Sequence, residues 1–446
     1  MLAPASVTHP LGSRYARAMA AARPQRTGIV TDVLGLSLEV RGLPAAVGDV
    51  LSVAMPEGDT LVEVVAVAPR ALRCMPLATP HGLRAGLAVT PTGGPLRVPT
   101  GPGLLGRVLD GLGRPLDGKG PWGQVDMLPL DSAPPHALER ARIDTPLSTG
   151  VRVIDTLTPV GRGQRMGLFA GSGVGKSTLL SMMARGTDAE VSVIALIGER
   201  GREVREFLED DLGPEGLARS VVVVATSDEP AMTRLRAAMV ATRIAEGFRA
   251  RGSHAVLMMD SLTRVAMAQR EIGLSAGEPP ATRGYPPSTF SVLARLLERA
   301  GTGPTGSVTG FYTVLVDGDD HNEPIADAAR SILDGHLVLT RDLAVAGHYP
   351  AIDALASLSR VAGQVTGPDQ RAGAQRLRQV LAAHRRARDL IDVGAYAAGS
   401  DPLVDAAVTH RAAIDAFLTQ RVDDSTPADA AWNSLALLID QLEGRL

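Results

Sequence analysis

The fold of this chain is indicated most clearly by the stretch Arg165-Met-Gly-Leu-Phe-Ala-Gly-Ser-Gly-Val-Gly-Lys-Ser177. Its apolar first part, Met166–Phe169, leads directly into a glycine-rich loop, and a helical run, Thr178–Ala184, follows. This order of strand, loop and helix is the context of a phosphate-binding P-loop, whose glycines let backbone N–H groups turn toward phosphate oxygens. Ala170 stands where the motif usually has its first glycine, which is a mild departure at the end of the strand. The stretch therefore predicts a phosphate site on an α/β sheet.

Two side chains of the loop have separate predicted tasks. Lys176 would reach the β- and γ-phosphates of a nucleotide, and the hydroxyl of Ser177 would be a ligand of Mg²⁺. The predicted nucleotide-binding residues are those of the loop and the residue after it: Gly171, Ser172, Gly173, Val174, Gly175, Lys176, Ser177 and Thr178.

Two other apolar runs end in charged residues. Val256-Leu-Met-Met-Asp260 ends in a carboxylate, where a P-loop enzyme needs the Asp that orients Mg²⁺ through water. Ile197-Gly-Glu-Arg-Gly-Arg202 ends in Glu199, which could polarise the water that attacks a γ-phosphoryl group, and in Arg200, which could contact phosphate. A strand that ends in a charged turn is common by itself, so both predictions depend on the P-loop.

Outward from the P-loop, apolar runs alternate with helical patterns up to about residue 340. Continuous apolar strands between helices indicate a parallel sheet that is covered on both faces. The predicted strands are Arg165–Ala170, Val191–Gly198, Val221–Thr226, Ala255–Asp260, Val308–Val316 and His336–Thr340. The last part of the chain is predicted to be helical, over Ala372–Asp392, Pro402–Thr419 and Pro427–Leu442.

The region before the sheet has a different pattern. Short β-rich runs separated by Gly, Pro and Asp fill residues 27–93 and predict a small barrel or sandwich. These residues include no Phe, Tyr or Trp, so a barrel that stacks single-stranded bases is disfavoured. Residues 94–150 are rich in Gly and Pro and predict an ordered connection without a helix or a long strand.

Composition excludes several classes of protein. The 446 residues are 45% hydrophobic and 21% charged, which argues against intrinsic disorder, and the net charge of -3 argues against a nucleic-acid-coating protein. Cys74 is the only cysteine, so no intramolecular disulfide can form. The longest apolar runs are too short to span a bilayer, and Met1–Pro10 has no Lys or Arg before an apolar stretch, so no secretory signal is visible. A soluble, cytoplasmic protein of several domains is expected.

The N-terminal residues 1–26 allow two interpretations. A helix is predicted over Ser13–Ala22 and ends near Pro24, within a segment that carries four arginines, Arg14, Arg17, Arg23 and Arg26. The segment could be a frayed terminus. It could equally be an amphipathic docking segment for a partner or for an anionic membrane surface.

Three motifs together resemble the α/β-subunit family of F-type and V-type ATPases. They are the P-loop, Gly198-Glu-Arg200, and Pro350-Ala-Ile-Asp-Ala-Leu-Ala-Ser-Leu-Ser359. Within that family, Arg330-Ser-Ile-Leu-Asp-Gly-His336 and Ala346-Gly-His-Tyr-Pro-Ala-Ile-Asp353 are similar to the type III export branch. The resemblance runs from about residue 27 to 420.

A later motif narrows the resemblance further. Val393-Gly-Ala-Tyr396, followed by Gly399-Ser-Asp-Pro402, looks most like the flagellum-specific export ATPases. The resemblance implies a Mg²⁺-dependent ATPase that powers protein export for flagellum assembly. An injectisome ATPase is the alternative use, because the motifs separate the two uses less sharply than they identify the family.

The resemblance also implies an architecture. It has an N-terminal β-barrel over residues 27–93, a RecA-like P-loop core with a mainly parallel sheet over 94–369, and a C-terminal helical domain over 370–446. Residues 1–26 would form the docking segment. The implied assembly is a ring of six copies, with ATP held between neighbours.

Site roles follow from the resemblance residue by residue. Glu199 is implied as the catalytic carboxylate, while Lys176 and Ser177 bind phosphate and Mg²⁺ and Arg200 contacts phosphate. Arg360 corresponds to the arginine finger that is donated to the ATP of the adjacent subunit, and Tyr349 corresponds to the aromatic residue on adenine. A surface salt bridge for Arg360 and a core position for Tyr349 are the structural alternatives.

The implied partners are further copies of the chain, a stator-like regulator at residues 1–26, a central-stalk protein, a membrane export gate, and export chaperones with their cargo. No nucleic acid is expected, and the location is the cytoplasm beside the inner-membrane export apparatus. The acidic loop Asp317–Glu323 could face the stalk or be a solvated loop.

Three other functions remain as alternatives. A rotary ATP synthase subunit is disfavoured because Val422–Asp429 is shorter than the acidic lever of that protein and is interrupted by Pro427. An RNA translocase is disfavoured by the barrel without aromatic residues and by the net charge. A nucleotide-binding scaffold without catalysis is disfavoured because Glu199 is present.

Overall fold

A computed structural model describes residues 26–79, 81–316 and 323–444, together with Met19. The predicted N-terminal docking segment, except Met19 and Arg26, and all of the acidic loop but Glu323 lie outside the described residues. The chain divides into two compact units, residues 1–95 and 96–446.

The first unit contains a closed barrel of six antiparallel strands in the order β1-β2-β5-β4-β3-β6. Alternate positions such as Val30, Leu38 and Val40 point to the apolar interior. Cys74 is part of that interior, and burial raises the pKa of its thiol to about 12. The prediction of a small barrel is confirmed. Its strands are β1 (Gly28–Leu34), β2 (Ser37–Arg41), β3 (Asp49–Val53), β4 (Thr60–Ala68), β5 (Ala71–Pro76) and β6 (Ala88–Pro95).

The second unit is built on a nine-stranded sheet. Its order is β19-β18-β12-β17-β15-β13-β14-β8, with β16 paired to β17 outside this path. All neighbours from β18 to β8 are parallel, while β19 and β16 are antiparallel to their partners. The strands are β8 (Arg107–Asp110), β12 (Arg165–Ala170), β13 (Val191–Ile197), β14 (Ser220–Ala225), β15 (His254–Asp260), β16 (Gly301–Thr302), β17 (Ser307–Leu315), β18 (Gly335–Leu339) and β19 (Leu358–Ser359).

Helices cover this sheet because its strands are apolar on both faces, as in β13, where all seven residues are buried. They are α1 (Arg152–Leu157), α2 (Lys176–Gly186), α3 (Gly201–Glu206), α4 (Gly213–Ala218), α5 (Ala231–Ala250), α6 (Leu262–Ala276), α7 (Pro287–Glu298), α8 (Pro324–Ile332) and α9 (Arg341–Val345). A π-helical turn, Phe207–Leu212, joins α3 to α4, and Pro102–Leu104 and Thr282–Gly284 form 3₁₀ turns. The prediction of an α/β P-loop core is confirmed.

One strand of the sheet lies where the sequence predicts only a connection. Strand β8 pairs in parallel with β14 at the edge of the sheet. It has four residues, and it begins with Arg107, whose buried guanidinium binds Asp117 at 2.7 Å. Such a short strand with charged ends has no apolar run to reveal it. The same region holds β7 (Arg97–Thr100), β9 (Asp126–Pro129) and β10 (Pro146–Leu147), and β11 (Val160–Gly161) follows it.

The C-terminal residues are helical, as predicted, and share an apolar core with α1 and α2. Leu377, Phe417 and Leu435 belong to the same buried cluster as Ile154 and Leu179. The helix predicted over 402–419 is divided into two, because the backbone leaves helical geometry at His410. The helices are α10 (Ala362–Val365), α11 (Pro368–Asp392), α12 (Pro402–Thr409), α13 (Arg411–Leu418) and α14 (Ala428–Leu442). Among the described helices, none has the length and apolarity that crossing a membrane requires.

Candidate active site

The P-loop connects the end of β12 to the start of α2, between strands β17 and β18. Gly175 is the residue before α2, and its φ of 89° lies in the left-handed region that favours glycine. A Cβ atom at this position would also stand 3.3 Å from the ring of Tyr349. The N-terminal amides of α2 and its dipole are thus available for an anion, as a phosphate site requires.

Three predicted site residues meet at the carboxyl edge of the sheet. The Nζ atom of Lys176 lies 2.6 Å from Oδ1 of Asp260 and 3.4 Å from Oε1 of Glu199. Asp260 ends β15 and Glu199 follows β13, and these two strands are neighbours. The hydroxyl of Thr313 donates to the same Oδ1 atom at 2.7 Å. We call Lys176, Glu199 and Asp260 the charged cluster.

Burial and charge set the protonation of the charged cluster. Burial raises the pKa of Glu199 to about 7, the charge of Asp260 adds to the rise, and Lys176 opposes it. Burial alone would lower the pKa of Lys176, but the carboxylates of Asp260 and Glu199 outweigh it and raise that pKa. Lys176 is therefore a buried cation, held ready between two carboxyl groups.

The residues around the loop suit Mg²⁺ bound together with a nucleotide. Ser177 lies in the first turn of α2 and is exposed. Both hydrogen bonds to the carboxylate of Asp260, from Lys176 and Thr313, end on Oδ1. In the described parts of the chain, no three His, Cys, Asp or Glu side chains are grouped to hold a metal ion by themselves. A metal here would take further ligands from phosphate and water, which is how Mg²⁺ is usually bound.

A pocket of about 650 Å³ extends from the P-loop. On one side, the ring of Tyr349 is 43% exposed and lies against Gly175. On the other side, the C-terminal residues 419–424 form the wall. Thr178, Leu179 and Met182 of α2 also line it. A flat ring beside a phosphate-binding loop is suited to stacking on a nucleotide base.

Arg360 lies near the amino ends of the parallel strands, whereas the P-loop lies at their carboxyl ends. Its backbone N–H donates to the carbonyl of Asp334 at 2.9 Å, and Asp334 binds the guanidinium of Arg165 at the start of β12. The P-loop follows the other end of β12, five residues or about 17 Å further along the strand. Arg360 is exposed and does not reach the charged cluster of its own chain.

Comparisons with known proteins agree with this site. A family model described as the ATP synthase alpha/beta family, nucleotide-binding domain, matches residues 150–359, and one described as the T3SS EscN ATPase C-terminal domain matches residues 366–436. A flagellum-specific ATP synthase from Treponema pallidum is 50% identical over 95% of this chain and 96% of its own length. The chain belongs to the flagellar and type III secretion ATPases of the ATP synthase α/β family.

Other members of this ATPase family are also similar to this chain over most of its length. A type 3 secretion system ATPase from Xanthomonas euvesicatoria is 51% identical over 93% of both chains. Among solved structures, the assembled ATPase EscN of the enteropathogenic E. coli type III secretion system has a TM-score of 0.87 and 43% identity, over 92% of this chain and 100% of that chain. The prediction of a nucleotide-binding ATPase of the export branch is confirmed.

Two arginines near Glu199 differ in exposure: the side chain of Arg200 points to solvent, whereas that of Arg264 packs against the residue before Glu199. The guanidinium of Arg200, predicted to contact phosphate, is 82% exposed and lies 3.5 Å from Glu203. Arg264 was not predicted, yet it packs against Gly198, where a Cβ atom would stand 2.9 Å from the arginine side chain. Its Nε atom is buried and has no hydrogen-bond partner among the described residues. Its place in the first turn after the strand that ends in Asp260 was the signal in the sequence.

The C-terminal wall of the pocket was also missed by sequence reasoning. Gln420 is buried, and its side-chain amide donates to the carbonyls of Gly150 and Asp424 at 2.7 and 2.9 Å. Its Oε1 atom accepts the N–H of Arg152 at 3.0 Å. The guanidinium of Arg152 donates to the carbonyls of Ala416, Phe417 and Thr419. These contacts fix residues 419–424 beside the nucleotide pocket. No local sequence pattern predicts the contacts, because they join residues that are far apart in the chain.

Proposed function

We propose that this chain hydrolyses MgATP at sites shared between neighbouring copies in a ring of six, and that hydrolysis energises protein export during flagellum assembly. The main support for this proposal is the charged cluster beside the P-loop, together with the position of Arg360 at the opposite ends of the strands of the same sheet. This division supports a site to which two neighbouring copies contribute, with the phosphate-binding groups from one copy and Arg360 from the other.

The charged cluster supports in-line attack of water on the γ-phosphate. Lys176 and the N–H groups of the loop bind the phosphates, where positive charge stabilises the transition state. The carboxylate of Glu199 accepts a hydrogen bond from the attacking water and so orients it. Ser177 and, through water, Asp260 would hold Mg²⁺, which neutralises developing charge on the phosphate oxygens.

Arg360 acts in this scheme on the nucleotide of a neighbour. The length of β12 separates it from the P-loop of its own chain, which is further than an arginine side chain extends. Phosphoryl transfer is accelerated strongly by an arginine that another subunit supplies. Hydrolysis would therefore depend on assembly.

Tyr349 is proposed to stack on the base, and this gives a testable prediction. Because a base–aromatic stack contributes about 1–3 kcal/mol, Tyr349→Ala is expected to raise the KM for ATP about tenfold with little change in kcat. Steady-state kinetics at saturating protein concentration measures both constants. Tyr349→Phe, which keeps the ring, is the matched control and should retain the wild-type KM. An unchanged KM in the alanine variant would contradict the stacking role.

The export role rests on the family. The relatives described above are flagellum-specific ATP synthases and type 3 secretion system ATPases. EscN is also solved in complex with its central stalk EscO, with a TM-score of 0.86 to this chain, and this supports self-assembly and a stalk partner here. The proposal includes a stator-like regulator at residues 1–26, an export gate, and chaperones with cargo. The ring would work in the cytoplasm, beside the inner-membrane export apparatus.

Deleting the gene for this chain from its host tests the flagellar assignment. The deleted strain is expected to lack flagella and to retain flagellar export substrates inside the cell. Wild-type chain should restore flagella, whereas Lys176→Ala, which lacks the phosphate-binding cation, should not. Electron microscopy and immunoblots of culture medium give the readout, with equal abundance of both chains as the control.

An injectisome ATPase is the second candidate, because the Xanthomonas type 3 secretion system ATPase matches as closely as the flagellar relatives do. Under that function the deleted strain would keep its flagella and lose secretion of injectisome substrates. That result would overturn the flagellar assignment and leave the ATPase chemistry intact.

A further inference from the structure

A buried glutamine forms hydrogen bonds with two groups beside Arg360: the hydroxyl of the residue before it and the carbonyl that accepts its N–H. Gln164 is fully buried, and its amide nitrogen donates to the carbonyl of Asp334 at 3.0 Å and to the hydroxyl of Ser359 at 3.1 Å. Ser359 directly precedes Arg360, and the Asp334 carbonyl also accepts the N–H of Arg360. The oxygen of the glutamine accepts the N–H of Gly161 at 2.9 Å, so the side chain itself is fixed.

The strand that carries Ser359 lies unusually close to its neighbour. Ser359 pairs with Gly335 in the β18–β19 ladder. A Cβ atom at Gly335 would stand 2.5 Å from the carbonyl oxygen of Leu358 and 2.8 Å from the sulfur of Met166. Only glycine allows this approach. The backbone before Arg360 is therefore in close van der Waals contact with β18 as well as hydrogen-bonded to it.

Charged groups fix Asp334, whose carbonyl accepts hydrogen bonds from both Gln164 and Arg360. Arg165 donates its backbone N–H and its Nε to Oδ2 of Asp334, both at 3.0 Å, and its guanidinium also binds Glu298. Gln164 and Arg165 are adjacent at the start of β12, so side chain and backbone of Asp334 are held by consecutive residues. In contrast, the side chain of Arg360 is exposed.

We propose that Gln164 is a positioning residue that fixes Arg360 for the active site of the neighbouring subunit. This inference rests on the shared site proposed above. Gln164 is on the far edge of the sheet from its own P-loop, so its loss should leave nucleotide binding in its own subunit unchanged. A displacement of about 1 Å at a reacting group can cost about 100-fold in rate, which sets the scale of the effect.

Gln164→Met tests the proposal, because it keeps an unbranched side chain of similar length and removes all three hydrogen bonds. The kcat for ATP hydrolysis is expected to fall about 10- to 100-fold, with KM and nucleotide binding close to wild type. Thr309→Val is the matched control: it removes another buried hydrogen bond nearby, from the N–H of Gly163, and Thr309 lies on β17, which β12 and β18 separate from β19. That control should keep the wild-type kcat.

Mixing experiments separate positioning from general damage. Lys176→Ala subunits cannot hydrolyse ATP but carry an intact Arg360, so mixing them with Gln164→Met subunits should raise activity above the sum of the two separate preparations. Damage within the active site of Gln164→Met would not be repaired by a neighbour. A wild-type kcat for Gln164→Met, or a low kcat without rescue, would overturn the proposal.

Two further variants, Arg360→Ala and Ser359→Ala, separate failure of the shared site from failure of the role of Gln164. Mixtures of Arg360→Ala with Lys176→Ala must also show rescue; if they do not, the shared site itself fails, separately from the role of Gln164. Should Gln164→Met fail to fold in thermal unfolding, Ser359→Ala removes one of the same hydrogen bonds with a smaller change. It is expected to lower kcat severalfold and to be rescued by Lys176→Ala. An unchanged kcat in Ser359→Ala would then overturn the proposal.

Discussion

Replacing Glu199 by glutamine is expected to lower kcat for ATP at least about 100-fold while nucleotide binding persists. The side chain lies 3.4 Å from Lys176 at the carboxyl edge of the sheet, where water could approach a γ-phosphate. Glutamine has nearly the same shape but carries no negative charge, so it cannot polarise the water in the same way. The variant should still bind phosphates through Lys176 and the loop.

Two assays measure this expectation: steady-state phosphate release, and binding of a fluorescent ATP analogue. Glu206→Gln is the matched control, since Glu206 makes an exposed ion pair with Arg202 on the helix that follows Glu199. It should hydrolyse ATP like the wild type. Normal turnover in Glu199→Gln would remove Glu199 from the mechanism and leave the attacking water without its proposed partner.

Replacing Arg360 by alanine is expected to lower kcat about 1,000-fold, which is the lower end of the effect of an arginine finger. The side chain is exposed at the edge of the sheet away from the P-loop, so its loss removes no buried contact. Folding and nucleotide binding should therefore be unchanged.

The matched control for Arg360 is Arg388→Ala, which removes an exposed arginine of α11 paired with Asp392. Hydrolysis is measured for both variants at a protein concentration that saturates assembly, with thermal unfolding as the check on folding. Arg388→Ala should match the wild type in both assays. If Arg360→Ala also retained its kcat, Arg360 would be an ordinary surface arginine.

Much of the fold could be predicted because buried parallel strands are continuous apolar runs. The run Val191–Gly198 is an example: the observed strand differs from it by one residue. Strand β8 was missed because its four residues begin with Arg107 and end with Asp110. Only two apolar residues stand between them, too few to form a recognisable apolar run, although Leu109 is fully buried and Arg107 forms a buried ion pair. The break at His410 has no Gly or Pro to mark it.

The charged cluster could be predicted for a geometric reason. Lys176, Glu199 and Asp260 each follow or end a parallel strand, and the carboxyl ends of such strands meet at one edge. Arg152 and Gln420 could not be predicted, because they are 268 positions apart and only the packing of the C-terminal helices brings them together. Gln164 was overlooked since a single polar residue before a strand carries no pattern.

In the proposed ring, each active site is shared between two subunits. Specific ATPase activity, measured against protein concentration for the wild type and for Arg360→Ala, shows whether catalysis depends on this sharing. The wild type should rise steeply in activity per molecule as copies assemble, and the variant should stay low at every concentration. Activity that is independent of both concentration and Arg360 would mean that each chain is catalytically complete alone, and the shared site would be wrong.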